Sequence, residues 1–333
     1  MCRSKTVHIP DFLFGYSGIG IPLGIVFWII AIVFIVLAIN WARKNLDASK
    51  IPVMAILAAG IFALQAFNLP TGFGVSGHLV GGALAAILLG SPFAAVFVMT
   101  IVLVIQALVF GDGGVLALGA NIINMGVIAG FVGFYSFKGL KKVIPKIPVP
   151  LSAAIAAWLA CVIAACCAAF EIALLGAVPL SIGLPTMFIY HAIIGIIEGV
   201  ITAVVVALVF KVRPELTGDT TKTGVPIKSF LVVGLVIALI IGGCAVFFAS
   251  SDPDGLDSTL LVSGGVKDVF APATSDDITE AEDPIGWQAP MPDYALGDSA
   301  VGGIVALIIG IFAALVVILL AAKIVYASSG KGN

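Results

Sequence analysis

About nine apolar stretches divide this chain, and they limit its fold more than any other feature of the sequence. A helix needs about 20 apolar residues to cross the ~30 Å hydrocarbon core of a bilayer. Hydrophobic residues make up 61% of the chain and charged residues only 10%, which a water-soluble domain of 333 residues would not require. The alternating pattern of a membrane β-barrel is absent, so helices remain the way to pair backbone polar groups in lipid. We therefore predict an all-α, polytopic membrane helical bundle.

The predicted spans differ in length and composition. Residues 75–90 are short and rich in glycine and alanine. We expect this segment to pack inside the bundle, because small residues let helix backbones approach closely. The predicted spans are residues 21–42, 51–69, 75–90, 92–111, 119–138, 151–176, 185–210, 229–249 and 299–322.

Lysines and arginines cluster in alternate loops, which predicts how the chain is oriented. Short loops rich in these residues stay in the cytoplasm. The loop 250–298 instead holds eleven of the eighteen acidic residues and one lysine, so we expect it outside. Nine spans then place the amino terminus outside the plasma membrane and the carboxyl terminus in the cytoplasm. The basic loop residues are Arg43, Lys44, Lys50, Lys138, Lys141, Lys142, Lys146, Lys211, Arg213, Lys222 and Lys228.

The spans fall into two units separated by a polar linker. Residues 1–212 form a seven-helix unit, and residues 228–333 form a two-helix unit around the acidic loop. Residues 213–227 contain Pro, Gly and Thr, which is typical of a linker, here a cytoplasmic one. The run ATSDDITEAEDP within the acidic loop predicts disorder or a solvated surface. The loop either concentrates cations near the membrane, within a screening length of ~8 Å, or serves as a tether.

Several enzyme and pump signatures are missing from the sequence. There is no G-x-x-x-x-G-K-[ST] phosphate loop, so we do not expect the chain to hydrolyse ATP by that device. The H-E-x-x-H and G-x-S-x-G patterns of metalloproteases and serine hydrolases are also absent. No internal repeat suggests the inverted halves of many secondary transporters.

All three histidines are predicted to lie on the outer side of the membrane, which makes them candidate metal ligands. His8 precedes the first span, His78 begins the third, and His191 lies in the outer third of the seventh. Imidazole nitrogens suit Zn, Cu, Ni and Co. Asn121 and Asn124 open the fifth span from the same side.

The other polar residues of the spans are interpreted either as helix-packing residues or as residues around the candidate site. His191 and Glu198 are seven residues apart and share a helix face. They either fix helix packing through hydrogen bonds or form a second shell or a path into the site. Glu171 is expected to reach interfacial water. Three amides are expected only to hydrogen-bond between helices: Gln65, Asn68 and Gln106.

The amino-terminal residues suggest how a metal could gain further nitrogen ligands. If the mature chain began at Val7, its free amine, the His8 amide nitrogen and the His8 imidazole would chelate one ion. His78 would supply a fourth nitrogen, and an all-nitrogen, square-planar field favours Ni(II) or Cu(II). The preceding MCRSKT lacks the apolar region of a signal peptide. The simplest hypothesis is that translation begins at codon seven, a GTG read as valine.

Several separated stretches of the sequence carry a family resemblance. VHIPDFL (7–13) is similar to M-H-I-P-D-G-F-L, with Val7 in place of methionine and without the glycine, and GVSGHLVGG (74–82) is similar to G-T-S-G-H-L-L-G-G. GANIINM and HAIIGIIEGVIT resemble two further blocks of the same family. That family is the membrane substrate-capture component of energy-coupling-factor transporters for nickel and cobalt. SDPDGLDST (251–259) resembles the P-D-G-L-E signature of a small accessory component, fused here behind the linker.

The resemblance implies a ligand set and partners. It implies that His8 and His78 bind metal, together with the amine of Val7 and the His8 amide nitrogen. It implies no permanently bound cofactor, because Ni(II) or Co(II) is the transported substrate. It implies two separate partners, a transmembrane coupling subunit and a pair of cytoplasmic ATPases, and no nucleic acid. Possible second-shell residues are Asn121, Asn124, His191 and Glu198.

The expected function is therefore capture of Ni(II), or alternatively Co(II), outside the membrane and ATP-driven release inward, and the chain is not an enzyme. Nickel is favoured because nickel systems of the resembled family more often carry the fused segment. Ni(II) also precedes Co(II) in affinity for nitrogen sites. The leading alternative is a secondary transporter of a small organic solute, which would need an ion gradient and no ATPase. A membrane enzyme or a structural subunit would keep its metal content after His78→Ala.

Overall fold

The computed structural model describes residues 8–217 and 224–329. Eight of its helical segments are long and apolar enough to cross a bilayer. Large side chains on the outer helices face away from the bundle; Ile29 is 58% exposed and Ile240 59%. The predicted multi-pass membrane helical bundle is confirmed.

The secondary structure is almost entirely helical. The α-helices are α1 (Gly20–Asn45), α2 (Ile51–Gln65), α3 (Gly82–Leu89), α4 (Pro92–Ile105), α5 (Leu118–Asn121), α6 (Ala129–Val143), α7 (Val149–Leu174), α8 (Leu180–Val212), α9 (Ile227–Phe248), α10 (Gly255–Ser263) and α11 (Ala300–Ala327). π-helical turns extend α4 through Gln106–Phe110 and join α5 to α6 through Ile122–Ile128. 3₁₀ turns occupy Asp11–Gly15, Ala48–Lys50, Pro214–Thr217, Ser275–Asp277 and Pro292–Tyr294. Strands β1 (Leu69–Pro70) and β2 (Ser76–Gly77) pair antiparallel, with Leu69 opposite Gly77.

The third predicted span, residues 75–90, is not one continuous helix. Residues 75–81 form the short strand β2 and a loop, and α3 begins only at Gly82. Gly81 has a φ of +84°, a left-handed conformation that a side chain would strain. A Cβ atom at Gly82 would lie 2.1 Å from the carbonyl oxygen of Met125. The chain therefore enters the bundle as a loop, and α3 follows it as a buried half-length helix.

This loop and α3 together make one broken crossing of the bundle. Gly82 and Ala83 contact the middle of the helical segment 118–143, because they lie against Met125 and Gly133 respectively. Eight helical residues extend about 12 Å, too short to cross the bilayer alone. The broken crossing connects the end of α2 with the start of α4, beside the eight segments that are long enough to span a bilayer.

The broken crossing is required by the positions of the helices on either side of it. The residues after α2 and the end of α4 both contact the segment 249–299, since Asn68 accepts a backbone hydrogen bond from Ser250 and Val109 accepts one from Met291. We call the end of the bundle that carries this segment the loop end. Helices α2 and α4 thus run in the same direction, and the chain between them has to return across the bundle.

The two-helix unit packs along α2. Helices α9 and α11 both contact α2 and each other. Gly234 of α9 lies against Ile56, and Gly310 of α11 lies against Phe62. Small residues at these positions allow close helix packing. The unit therefore lies alongside α2, whose end leads into residues 66–81.

The acidic loop has more structure than its composition indicates. It contains α10, and Asp254 caps that helix by accepting a hydrogen bond from the amide of Asp257. The apolar residues Leu256, Leu260 and Leu261 of α10 are buried. Burial of these side chains offsets the entropy of ordering a charged loop. Of the two alternatives for ATSDDITEAEDP, disorder or a solvated surface, the structure shows a run at the surface in which Ser275–Asp277 form a capped turn.

Candidate metal centre

A cavity of about 80 Å³ lies inside the bundle near the loop end. All three histidines of the sequence line it. The seven-helix unit supplies most of its wall, and α10 supplies its roof through Gly255 and Leu256. The polar residues that line it are His8, His78, Asn121, Asn124, His191 and Asp254.

Hydrogen bonds to the backbone fix the segment that carries His8. The amide of Asn121 donates to the carbonyl oxygen of Ile9 and accepts from its N–H, both at 3.0 Å. Asp11 accepts hydrogen bonds from the backbone N–H groups of Val115 at 2.8 Å and Ala117 at 2.7 Å. Because residues 9 and 11 are both attached, His8 is held inside the protein although it lies ahead of the first helix.

The His8 ring is almost completely buried, with 3% of the residue exposed. Its Nδ1 lies 3.0 Å from Oδ1 of Asp112. Both ring nitrogens are buried, and neither has the geometry of a hydrogen bond with a described residue. A buried nitrogen without a partner is costly unless a ligand satisfies it.

Asp112 follows α4 and is the acidic residue closest to His8 in the structure. Burial acts to raise the pKa of this carboxyl group, but attraction to the nearby His8 and the hydrogen bond from Tyr294 outweigh it and hold the pKa below its usual value. The Tyr294 hydroxyl donates to the second carboxylate oxygen at 2.6 Å. Asp112 is therefore a carboxylate at neutral pH and presents negative charge to the imidazole.

His78 approaches His8 from the loop that precedes α3. The two ring centroids are 5.4 Å apart with an interplanar angle of 77°. Nδ1 of His78 lies 3.1 Å from the carbonyl oxygen of Leu79, which can only accept, so Nδ1 carries the proton. In the neutral ring Nε2 then holds the lone pair that a metal requires.

Buried side chains hold the backbone immediately after His78. The carboxylate of Glu198 accepts hydrogen bonds from the N–H groups of Val80 at 2.6 Å and Gly81 at 3.1 Å. Gln65 donates to the carbonyl oxygen of Val80 at 3.0 Å. Glu198 does not line the cavity; it determines where the loop carrying His78 lies.

His191 and Asn124 complete the wall of the cavity. His191 donates through Nδ1 to the carbonyl oxygen of Met187 at 2.9 Å, one turn earlier in its own helix. Asn124 donates to the Glu171 carboxylate at 2.5 Å. The expectation that Glu171 reaches interfacial water is wrong, because only 8% of the residue is exposed and its partner lies in the bundle.

The acidic loop holds the other end of the segment that carries His78. Ser76 donates through its N–H to the carbonyl oxygen of Pro253 at 2.9 Å and through its hydroxyl to that of Asp252 at 2.7 Å. The Lys267 ammonium donates to the carbonyl oxygen of Gly74 at 2.8 Å. Burial lowers the pKa of Lys267. The two-helix unit is thus part of the cavity.

Sequence reasoning missed Asp112, Asp254 and Tyr294. Asp112 stands in GDGG, where glycines on both sides allow a tight loop, and Asp254 stands in PDG, a turn signal. Neither pattern indicates which distant residue the carboxylate will meet. Nothing in the sequence around Tyr294 distinguishes it from a surface residue of the loop.

Side chains alone do not form a complete metal site in the described part of the chain. No three His, Cys, Asp or Glu side chains of residues 8–217 and 224–329 converge so as to hold an ion. Val7, whose amine is one of the predicted ligands, lies outside the described residues.

Comparison with known proteins gives two matching families along the chain. Residues 8–216 match the profile of the family described as the cobalt uptake substrate-specific transmembrane region, CbiM. Residues 228–327 match the PDGLE domain.

Individual relatives agree with this division. A protein of Archaeoglobus fulgidus, provisionally named a fused nickel transport protein NikMN, is 33% identical over 91% of this chain and 94% of its own length. The fused nickel transport protein NikMN of Rhodobacter capsulatus is 29% identical over 87% of this chain and 88% of its own. A crystal structure of a transition metal transporter is 33% identical and superposes with a TM-score of 0.55, covering 64% of this chain and 98% of that one.

Proposed function

We propose that this chain, which belongs to the family of cobalt uptake substrate-specific transmembrane regions and carries a PDGLE domain behind it, captures Ni(II) or Co(II) outside the membrane and delivers it inward. One observation carries the proposal: two imidazoles 70 residues apart in sequence, His8 and His78, meet in one buried cavity with 5.4 Å between their ring centroids. Two imidazoles that meet in a largely apolar cavity need a reason to do so, since burying a polar ring costs free energy unless its nitrogens are satisfied.

The proposed ligands are nitrogens. The imidazoles of His8 and His78 form the core of the set, and the amine of Val7 with the His8 amide nitrogen would complete four donors if the mature chain begins at Val7. Such donors suit Ni(II), Co(II) and Cu(II) better than Mg(II) or Ca(II), which prefer oxygen. Mass spectrometry of the native amino terminus tests the Val7 amine, and a chain that begins at Met1 would remove it from the set.

We favour nickel over cobalt as the substrate. The relatives that share both parts of this chain are named as nickel transport proteins, whereas the family description refers to cobalt. Ni(II) also binds nitrogen ligands more tightly than Co(II) in the usual affinity order.

Energy for transport would come from partners. We propose a transmembrane coupling subunit and a pair of cytoplasmic ATPases, because the sequence has no phosphate loop of its own. The loop end of the bundle would face outward, with the basic loops in the cytoplasm. Vesicles containing the chain with these partners should take up metal only with ATP, whereas a secondary transporter would need only an ion gradient.

Metal analysis of the full chain purified with its partners tests the binding site. We expect about one Ni(II) per chain in the native protein and almost none after His8→Ala or His78→Ala, because each removes a ligand. His191→Ala is the matched control, since His191 lines the same cavity but donates Nδ1 to its own helix. It should retain the metal. Full metal content after His78→Ala would contradict the proposal.

A further inference from the structure

We propose that the turn between α6 and α7, residues 138–146, binds the headgroups of anionic phospholipids. We call these residues the basic turn. The proposal goes beyond the proposed function, because it concerns the surface that the chain presents to its membrane and not the metal cavity.

The first step is the position of the basic turn along the bundle. The helical segment 118–143 begins beside the cavity, since the N–H of Ala117 donates to Asp11. At about 1.5 Å per helical residue, Lys138 lies about 30 Å along the axis from Leu118, which is about the thickness of the hydrocarbon core. The basic turn therefore lies at the level of the headgroups, at the end of the bundle opposite the loop end.

The second step is the exposed face of α6 that leads to the turn. Tyr135 is 60% exposed. Lys138 and Lys142 follow it at intervals of three and four residues, so the three side chains share one face of the helix. The Lys138 ammonium lies 4.3 Å from the centre of the Phe134 ring, which holds its charge at this level. Tyrosine is enriched where hydrocarbon meets headgroups, and lysines beyond it reach the phosphates.

The third step is the charge of the turn. Residues 138–146 contain four lysines, and positions 113–170 contain no acidic residue. Lys141 donates to the carbonyl oxygen of Ile147 at 2.9 Å and so holds the turn closed. The other three lysines are exposed, and none of them forms an ion pair with a described residue: Lys138, Lys142 and Lys146. Phosphate groups of anionic lipids complement such a surface.

The fourth step is the apolar tip of the turn, which favours a lipid over an acidic protein. Val143 is 79% exposed and Ile144 is 49% exposed. The N–H of Ile144 donates to the carbonyl oxygen of Leu140 at 2.8 Å, so the helical backbone fixes this tip. Large aliphatic side chains gain free energy when they leave water, and the boundary between headgroups and acyl chains covers them. A tip of this kind between lysines therefore fits a membrane surface.

The experiment is native mass spectrometry of the full chain in a mild detergent, titrated with phosphatidylglycerol or phosphatidylcholine. The two lipids carry the same acyl chains and differ in headgroup charge. We expect the native chain to bind the first phosphatidylglycerol about tenfold more tightly than phosphatidylcholine, because several lysines act together. A variant with all three exposed lysines of the turn changed to glutamine should lose most of this preference. Changing the same three to arginine keeps the charge and should keep the preference.

A matched control removes the same number of charges elsewhere. Three exposed lysines on three other helices serve for this, in the combined variant Lys211→Gln, Lys228→Gln and Lys323→Gln. This variant should keep the preference for phosphatidylglycerol. If the glutamine variant of the turn does not purify folded, Lys142→Gln alone should lower the preference about threefold.

Three results would overturn the proposal. Equal affinity of the native chain for the two lipids would leave the basic turn as a surface for a protein partner. An equal loss in the control variant would mean that net charge, and not this turn, attracts the lipid. An unchanged preference after removal of the lysines of the turn would place the lipid elsewhere. Ni(II) binding should stay native in every variant, since none of these lysines lines the cavity.

Discussion

The segment that carries His78 is held differently at its two ends. At Val80 and Gly81 it is attached to Glu198 and Gln65, which lie within the seven-helix unit. At Gly74 and Ser76 it is attached to the acidic loop of the two-helix unit.

This difference indicates which of the two ends can move more easily. The attachment at Val80 and Gly81 uses a carboxylate buried among helices, where losing a partner is expensive. The attachment at Gly74 and Ser76 is also buried at Ser76 and Lys267, but its partners belong to a loop and not to a long helix. The first end therefore sets the depth of His78, and the second determines how firmly the cavity is closed.

The largest effect should come from Glu198→Ala, which tests the first end. Two backbone N–H groups would lose their acceptor in the bundle, at a cost of about 1–3 kcal/mol each. We expect a lower melting temperature in detergent and little bound Ni(II). Glu198→Gln keeps one acceptor oxygen and should lose less. Glu171→Ala, another buried carboxylate of the bundle whose partner is Asn124, is the control; if it matched Glu198→Ala in metal loss, the attachment of Val80 and Gly81 would not be the reason.

An intermediate, local effect should come from Lys267→Met, which tests the second end. The ammonium donates to Gly74 and Ser258, and its loss should cost about 1–3 kcal/mol. Hydrogen exchange should then accelerate at residues 74–76 and remain slow at Val80 and Gly81. Lys323→Met, at an exposed position of α11, should change neither region. Equal acceleration at both ends would show that they open as one unit.

The smallest effect should be a change in the pH dependence of the stability of α10 after Asp254→Asn. Burial raises the pKa of Asp254 to about 6 from its ordinary value of 3.8. A raised pKa in the folded state means that the bound proton stabilises the fold at low pH, and that this stabilisation is lost as the pH rises through about 6. Asparagine keeps an acceptor oxygen for the Asp257 N–H but cannot ionise.

Hydrogen exchange of the α10 amides measures the stability of this helix as a function of pH. The exchange rates are measured without added metal and corrected for the intrinsic effect of pH. Between about pH 4 and 6 the native protein should lose protection, and Asp254→Asn should lose less. Identical pH profiles would show that Asp254 does not titrate in this range.

Sequence patterns predicted the long helices well, because a stretch of about 20 apolar residues has few alternatives in a bilayer. They failed at residues 75–90, where apolar composition continued although the backbone did not stay helical. Gly77, Gly81 and Gly82 are the available signal in this stretch, but glycines favour close helix packing as well as loops. The form of the crossing depended on the close contact of Gly82 with Met125, which no local pattern contains.

The candidate site, like the fold, was predictable from the sequence only in part. His8, His78, Asn121, Asn124 and His191 were predicted on one side of the membrane, and the structure places all five around one cavity. Residue type and predicted depth placed them on one side, whereas a site shared by His8 and His78 was what the family resemblance implied. The roles of Glu198, Asp112 and Tyr294 did not follow, because each depends on a partner 100 to 190 residues away.

The sequence by itself determined that the chain is a membrane bundle in two units with histidines near one end, because hydrophobicity and charge act locally along the chain. Only the tertiary structure decided that the acidic loop covers the cavity and that Asp112 connects His8 to Tyr294. Such contacts join residues far apart in sequence, and their geometry is set by how the whole bundle packs.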